Sequence, residues 1–133
     1  MKPLRLLVAD DNPAILDMIV KKLKEHFTIA AACTDGEAVV RHFLALKPDI
    51  VILDISMGEV SGIDVARRLK SENCGAEVIF LTVHQDIDFV RSAIAAGASG
   101  YVYKSAVNTD LVTAIYVVSQ HRSFYPDVLY SSS

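Results

Sequence analysis

Three carboxylates, a hydroxyl and an ammonium stand just after short apolar runs. They are the pair Asp10-Asp11 after Leu4 to Ala9, Asp54 after Ile50 to Leu53, Thr82 after Val78 to Leu81, and Lys104 after Tyr101 to Tyr103. Gathered on one rim, three anions would repel one another unless a cation entered, and a hard divalent ion with oxygen ligands, such as Mg²⁺, resolves that conflict. Lys104 adds a positive charge for an incoming anion and Thr82 a hydroxyl donor, so the set suits an oxyanion beside a metal, with phosphoryl the natural candidate. An Asp carboxylate so placed can act as a nucleophile and form an aspartyl phosphate. Asp54, after the run central in the sheet, is the best placed. Taken singly, each residue has a commoner role: Asp10 and Asp11 as turn or cap residues before a helix, Asp54 as a loop residue, Lys104 as a solvated amine. One site requires all of them at strand ends, whereas packing requires none there.

The elements that must position them are legible in the pattern. Apolar runs at Leu4 to Ala9, Phe27 to Ala32, Ile50 to Leu53, Val78 to Leu81 and Tyr101 to Tyr103 are each followed by a helix-like segment. The first, third and fourth are almost continuously apolar, as parallel strands covered on both faces should be. Asn12 before Pro13, Asp35 before Gly36-Glu37-Ala38, and Asn108 before Thr109 read as helix N-caps. Ile15, Ile19 and Leu23 recur at helical spacing, as do Val39, Phe43 and Leu46, then Phe89, Val90, Ala93 and Ile94, and finally Leu111, Ile115 and Val118. A third helix is expected over about Ile63 to Ser71. Pro48 and Gly97 read as stops, and Gly75 lies in the approach to the fourth run. Such alternation predicts an α/β fold: a doubly wound, five-stranded parallel sheet with helices on both faces, whose ligands bind outside the carboxyl ends of the strands.

Composition narrows the function classes. The chain has 133 residues, 52 % of them hydrophobic and 22 % charged, which suits one domain with a sizeable core. Its 13 Lys and Arg against 16 Asp and Glu leave a net charge of -3, so no positive field draws it to nucleic acid or anionic lipid. Cys33 and Cys74 show no metal-ligand spacing, and nowhere do about 18 apolar residues run together. The start Met1-Lys2-Pro3 leads into no cleavage-site pattern. The reading is a cytoplasmic protein with reduced thiols, and with Cys33 and Cys74 as small apolar fillers. His26, His42, His84 and His121 share no metal spacing and read as surface or linker residues, His84 being the one possible exception.

The paired acids Asp10-Asp11, the segment Asp54-Ile55-Ser56-Met57 with Gly62 beyond it, Leu81-Thr82, and Gly100-Tyr101-Val102-Tyr103-Lys104 resemble the response-regulator receiver domains of two-component signalling, over about Leu4 to Gln120. The resemblance implies the flavodoxin-like receiver topology. It further implies that Asp54 accepts a phosphoryl group from the phosphohistidine of a sensor histidine kinase or phosphotransfer protein. Asp11, Asp54 and the backbone carbonyl of Ser56 would then ligate Mg²⁺, with Asp10 assisting, typically through water. Thr82 would be drawn toward the phosphoryl group and Tyr101 would turn inward, reshaping the face made by the fourth helix, fifth strand and fifth helix. Tyr103 offers a second candidate for that switch. Self-association on phosphorylation is a further implication, and no activity beyond self-phosphorylation and autodephosphorylation is expected.

Ala96-Gly97-Ala98-Ser99-Gly100-Tyr101 and the closing Phe124-Tyr125-Pro126-Asp127-Val128 are most similar to receivers of transcription regulators with a LuxR/NarL-type helix-turn-helix domain. Residues 1–120 therefore read as the receiver and 121–133 as the start of a linker, ending in Ser131-Ser132-Ser133, to a domain outside this sequence. DNA binding would belong to that domain. Two departures concern loops. Gly58 stands where many receivers have proline, and Ser105 follows Lys104 where many have a proline in a cis bond. A cis Lys104-Ser105 peptide would cost about 2.5 to 4 kcal/mol and is expected only if packing compels it. Ser56 and His84 each lie two residues past a site residue, positions that in the family influence how fast the phosphoryl group is lost.

Two other classes fit less well. A small-molecule phosphohydrolase with an Asp nucleophile would need an acid for the leaving group, but Ser56, not a carboxylate, stands two residues after Asp54. A flavin or nucleotide module would need a glycine-rich cradle where this chain has Ala9-Asp10-Asp11-Asn12-Pro13.

Overall fold

The computed structural model describes residues 3–72 and 75–131. Cys74 and the final Ser132-Ser133 lie outside them. Five parallel strands, β1 (Arg5–Ala9), β2 (Thr28–Cys33), β3 (Ile50–Leu53), β6 (Glu77–Thr82) and β7 (Gly100–Tyr103), form one sheet in the order β2-β1-β3-β6-β7. Helices α1 (Pro13–Leu23) and α5 (Val107–Ser119) cover one face, and α2 (Gly36–Leu46), α3 (Gly62–Ser71) and α4 (Ile87–Ala95) cover the other. Strand order reverses beside β1 and β3, which brings the ends of β1, β3, β6 and β7 to one rim.

The apolar runs divide between two cores by strict alternation. Leu6, Val8, Ile50, Ile52, Ile79, Leu81 and Val102 pack with α1 and α5, while Leu7, Val51, Leu53, Val78, Phe80 and Tyr101 pack with α2, α3 and α4. The central strand β3 is thus apolar throughout because both of its faces are covered.

Two of the three expected helix caps form. The Asn12 side chain accepts from the amides of Ala14 and Ile15 at 3.0 and 3.2 Å, with Pro13 in the first turn. Asp35 accepts from Ala38 at 2.8 Å, and α2 stops at Lys47, in the left-handed region with φ 48°, before Pro48. The Asn108 cap is not formed. A 3₁₀ turn, Lys104–Ala106, leads straight into α5, whose first amide is satisfied by the Lys104 carbonyl; Asn108 lies exposed inside the first turn. With that donor already bonded in the tight turn, the helix begins without a polar side-chain cap.

Three features have no counterpart in the apolar pattern. A short antiparallel hairpin, β4 (Ser56–Met57) and β5 (Val60–Ser61), follows β3 and turns at Gly58, φ 72°. Ser61 then caps α3 by accepting from Ile63 at 3.1 Å. Near the end, Phe124 pairs in parallel with β7, and a short helix, α6 (Val128–Ser131), packs near α4. The Lys104-Ser105 peptide is trans.

Candidate functional site

The rim brings Asp10, Asp11 and Asp54 together: one carboxylate oxygen from each lies within 4.8 Å of the others, a group that could hold a metal ion. Asp10 and Asp54 are buried and Asp11 is exposed. Asp10 is fixed at the end of β1 by its amide, which donates to the Cys33 carbonyl at 3.1 Å, and its Oδ1 accepts the Asn12 amide at 2.9 Å. Asp54 Oδ1 accepts the Ser56 amide at 3.3 Å.

Lys104 crosses the cluster. Its Nζ lies 2.7 Å from Asp10 Oδ2 and 2.7 Å from Asp54 Oδ2. Burial opposes its charge, yet the hydrogen bonds to Asp10 and Asp54, reinforced by both carboxylate charges, outweigh it and hold the ammonium above the ordinary lysine pKa. One ammonium against three carboxylates still leaves the rim negative, so a divalent cation fits the donor set, which consists of hard oxygens alone. Lys104 opens the 3₁₀ turn directly after β7.

Gly62 holds the loop after Asp54 in place. Its amide donates to the Ile55 carbonyl at 2.7 Å, and a Cβ there would lie 1.9 Å from the Asp54 carbonyl oxygen. No other residue permits so close an approach.

Thr82 is fully buried at the end of β6, and its hydroxyl accepts the His84 amide at 3.3 Å. Tyr101, not Tyr103, is the buried aromatic, at 1 % exposure, and its hydroxyl donates to the His84 carbonyl at 2.8 Å. Burial, then the neighbouring Tyr103, Asp54 and Asp86, push its pKa up. His84 is the residue that sequence reasoning undervalued. Its Nε2 lies 3.0 Å from Ser56 Oγ and its ring stacks on Phe89, centroids 4.2 Å apart. The matching offset of Ser56 and His84, each two residues past a site residue, was the available signal. Cys33 is buried, and burial and then Asp35 push its thiol pKa up, which disfavours the thiolate.

An open parallel sheet with this rim is the framework of a phosphorylation-controlled signalling module, and residues 6–116 match the family described as the response regulator receiver domain. The chain belongs to that family, the receivers of two-component signalling. It is 33 % identical over 131 residues to the transcriptional regulatory protein YvfU of Bacillus subtilis, covering 96 % of this chain and 66 % of that one. The nitrate/nitrite response regulator protein homolog of Haemophilus influenzae is 30 % identical over 126 residues, with 93 % and 61 % covered. A LuxR-family two-component response regulator from Aurantimonas superposes with a TM-score of 0.88 at 29 % identity, covering 97 % of this chain and 94 % of that one. The chain thus spans less than two thirds of the curated relatives it matches. Among the described residues no helix is long and apolar enough to cross a membrane.

Proposed function

We propose that Asp54 is the phosphoacceptor. A carboxylate oxygen of Asp54 attacks the phosphorus of a phosphohistidine on a sensor histidine kinase or phosphotransfer protein. The P–N bond breaks, an acyl phosphate forms, and the departing imidazole takes up a proton. Mg²⁺, held by Asp11, Asp54 and the Ser56 backbone carbonyl with Asp10 through water, would neutralise charge on the transferring group. Lys104, already within reach of Asp54, moves its ammonium onto a phosphoryl oxygen, and the Thr82 hydroxyl donates to another. Water later cleaves the acyl phosphate and restores the carboxylate. Self-phosphorylation and autodephosphorylation are the only chemistry assigned; the protein is otherwise a switch and not an enzyme.

The observation that carries this reading is the Lys104 ammonium at 2.7 Å from both Asp10 and Asp54 beside a third carboxylate. The names of the relatives, a transcriptional regulatory protein and a response regulator, support a transcriptional output. In this reading residues 1–120 act as the receiver in the cytoplasm, and 121–133 begin the connection to a DNA-binding domain, Phe124 still lying along the receiver's own sheet edge. Phosphorylation also promotes pairing with a second copy, and the receiver itself binds no nucleic acid.

The test is intact mass after incubation with a small phosphodonor and Mg²⁺. One phosphoryl group is expected on the wild type and none on Asp54→Asn. Labelling that survives in the variant would remove Asp54 from this role. Sedimentation of the phosphorylated and free forms checks the pairing, and identical masses would count against it.

A further inference from the structure

The chain does not leave the domain where α5 ends. His121, in the left-handed region with φ 62°, turns it back, with Nδ1 3.6 Å from Glu77 Oε1. Phe124 then lies along the open edge of β7. Its amide donates to the Ser99 carbonyl at 2.9 Å, and its carbonyl accepts the Tyr101 amide at 2.8 Å. The Tyr125 hydroxyl donates to the Ala98 carbonyl at 2.8 Å, and Val128 and Leu129 pack on the core that contains Tyr101. Residues 121–131 thus form a strap across the edge of the sheet.

Two observations tie this strap to the site. A succession of residues, each hydrogen-bonded to the next through one of its groups, leads from Asp54 to it. Asp54 Oδ1 accepts the Ser56 amide at 3.3 Å, Ser56 Oγ meets His84 Nε2 at 3.0 Å, the His84 carbonyl accepts the Tyr101 hydroxyl at 2.8 Å, and the Tyr101 amide holds Phe124. In addition, Tyr101 and Tyr103 line a surface pocket of about 360 Å³ together with Phe124, Tyr125 and Pro126 of the strap. Tyr101 is inward here, and a tyrosine χ1 has discrete alternative wells. The pocket is thus shared by Tyr101 and the strap.

We infer that the strap regulates the phosphoacceptor site: its docking and the inward position of Tyr101 favour each other. A phosphoryl group on Asp54 that favours inward Tyr101 then tightens the strap. By reciprocity, loosening the strap weakens the binding of a phosphoryl-like ligand, by no more than the factor with which that ligand tightens the strap. The input rests on the phosphoacceptor reading of Asp54, whereas the link between Tyr101 and the strap stands on geometry alone.

Amide exchange read residue by residue by NMR on the full chain tests this, with beryllofluoride and Mg²⁺ as the probe. In the wild type the probe should slow exchange at Phe124 by about fivefold. Tyr125→Phe should speed that exchange without the probe by about fivefold and weaken beryllofluoride binding, while exchange at Ile52 in β3 stays unchanged and shows the fold intact. If beryllofluoride binds but exchange at Phe124 does not move, or if Tyr125→Phe loosens Phe124 with affinity unaltered, the inference is wrong. Failure of the wild type to bind the probe would strike the phosphoacceptor reading instead. The coupling is then judged by Tyr101→Phe without any probe: faster exchange at Phe124 supports it, and unchanged exchange overturns it.

Discussion

The two ends of the sheet both carry charge, and they use it differently. At the amino-terminal end, Arg5 donates through Nη1 to the carbonyls of Leu46 and Lys47 at 2.8 and 3.2 Å, its amide donates to Asp49 at 2.9 Å, and Glu77 is engaged by Ser99 and His121. Arg5 closes a helix end, lying where the carboxyl-terminal dipole of α2 favours a cation, and Glu77 is met by neighbouring side chains. At the carboxyl-terminal rim three carboxylates gather, and the one ammonium pairs with the two that are buried, Asp10 and Asp54. Charge left in excess and held out of water marks a place for an outside ion, whereas charge matched to the backbone marks architecture.

The sharpest way to break this contrast is at Gly62. Gly62→Ala forces Cβ against the Asp54 carbonyl, 1.9 Å away, so stability should fall by about 3 kcal/mol in urea unfolding. Phosphoryl uptake should slow as the loop shifts. A variant as stable as the wild type would show the loop to be loose, and the rim to be less precisely built than described.

Next in size is Asp11. Asp11→Ala should weaken Mg²⁺ binding by roughly tenfold or more in a metal titration. Asn12→Ala should leave the metal nearly untouched but lower stability by about 1 kcal/mol through loss of the α1 cap. Equal effects on Mg²⁺ would take Asp11 out of the metal shell.

At the opposite end, Arg5→Ala should cost about 1 kcal/mol of stability, since its pairing is partly exposed. Phosphoryl uptake should be unaltered. Impaired uptake at full stability would show that the two ends are not separable.

The smallest effect concerns β7, which joins the ends. Burial raises the pKa of Tyr101, aided by Tyr103, Asp54 and Asp86, and burial with Asp127 raises that of Tyr103. The folded protein therefore keeps these protons at a pH where the unfolded chain has released them. Their stabilisation is complete below the unfolded tyrosine value near 10 and is lost as pH climbs through the folded values. Urea midpoints should fall between about pH 9 and about pH 11, and absorbance should show two of the five tyrosines titrating late. Uniform titration of all tyrosines would contradict the burial of Tyr101.

Much of the fold was legible because its signals are local. Continuous apolar runs declare strands covered twice, Asn12-Pro13 and Asp35 declare helix starts, and polar residues after the runs declare a rim. Asn108 shows where local reading fails: its side chain suits a cap, but the 3₁₀ turn that Lys104 opens had already begun the helix. The hairpin after Asp54 was hidden because its strands are two residues long, too short for any period.

Residue type and order alone therefore settled the layered α/β architecture, the identity of the acidic and basic groups, and the apolar character of both cores, because hydrophobic period and capping act over a few neighbours. Tertiary structure alone decided that Tyr101 and not Tyr103 lies inward, that His84 spans from Ser56 to Tyr101, that Gly62 touches the Asp54 carbonyl, and that Phe124 closes the sheet edge. Each of these joins residues far apart in the chain, and no local preference encodes which of two equally suitable side chains will meet a distant carbonyl; only the packed arrangement of the strands does.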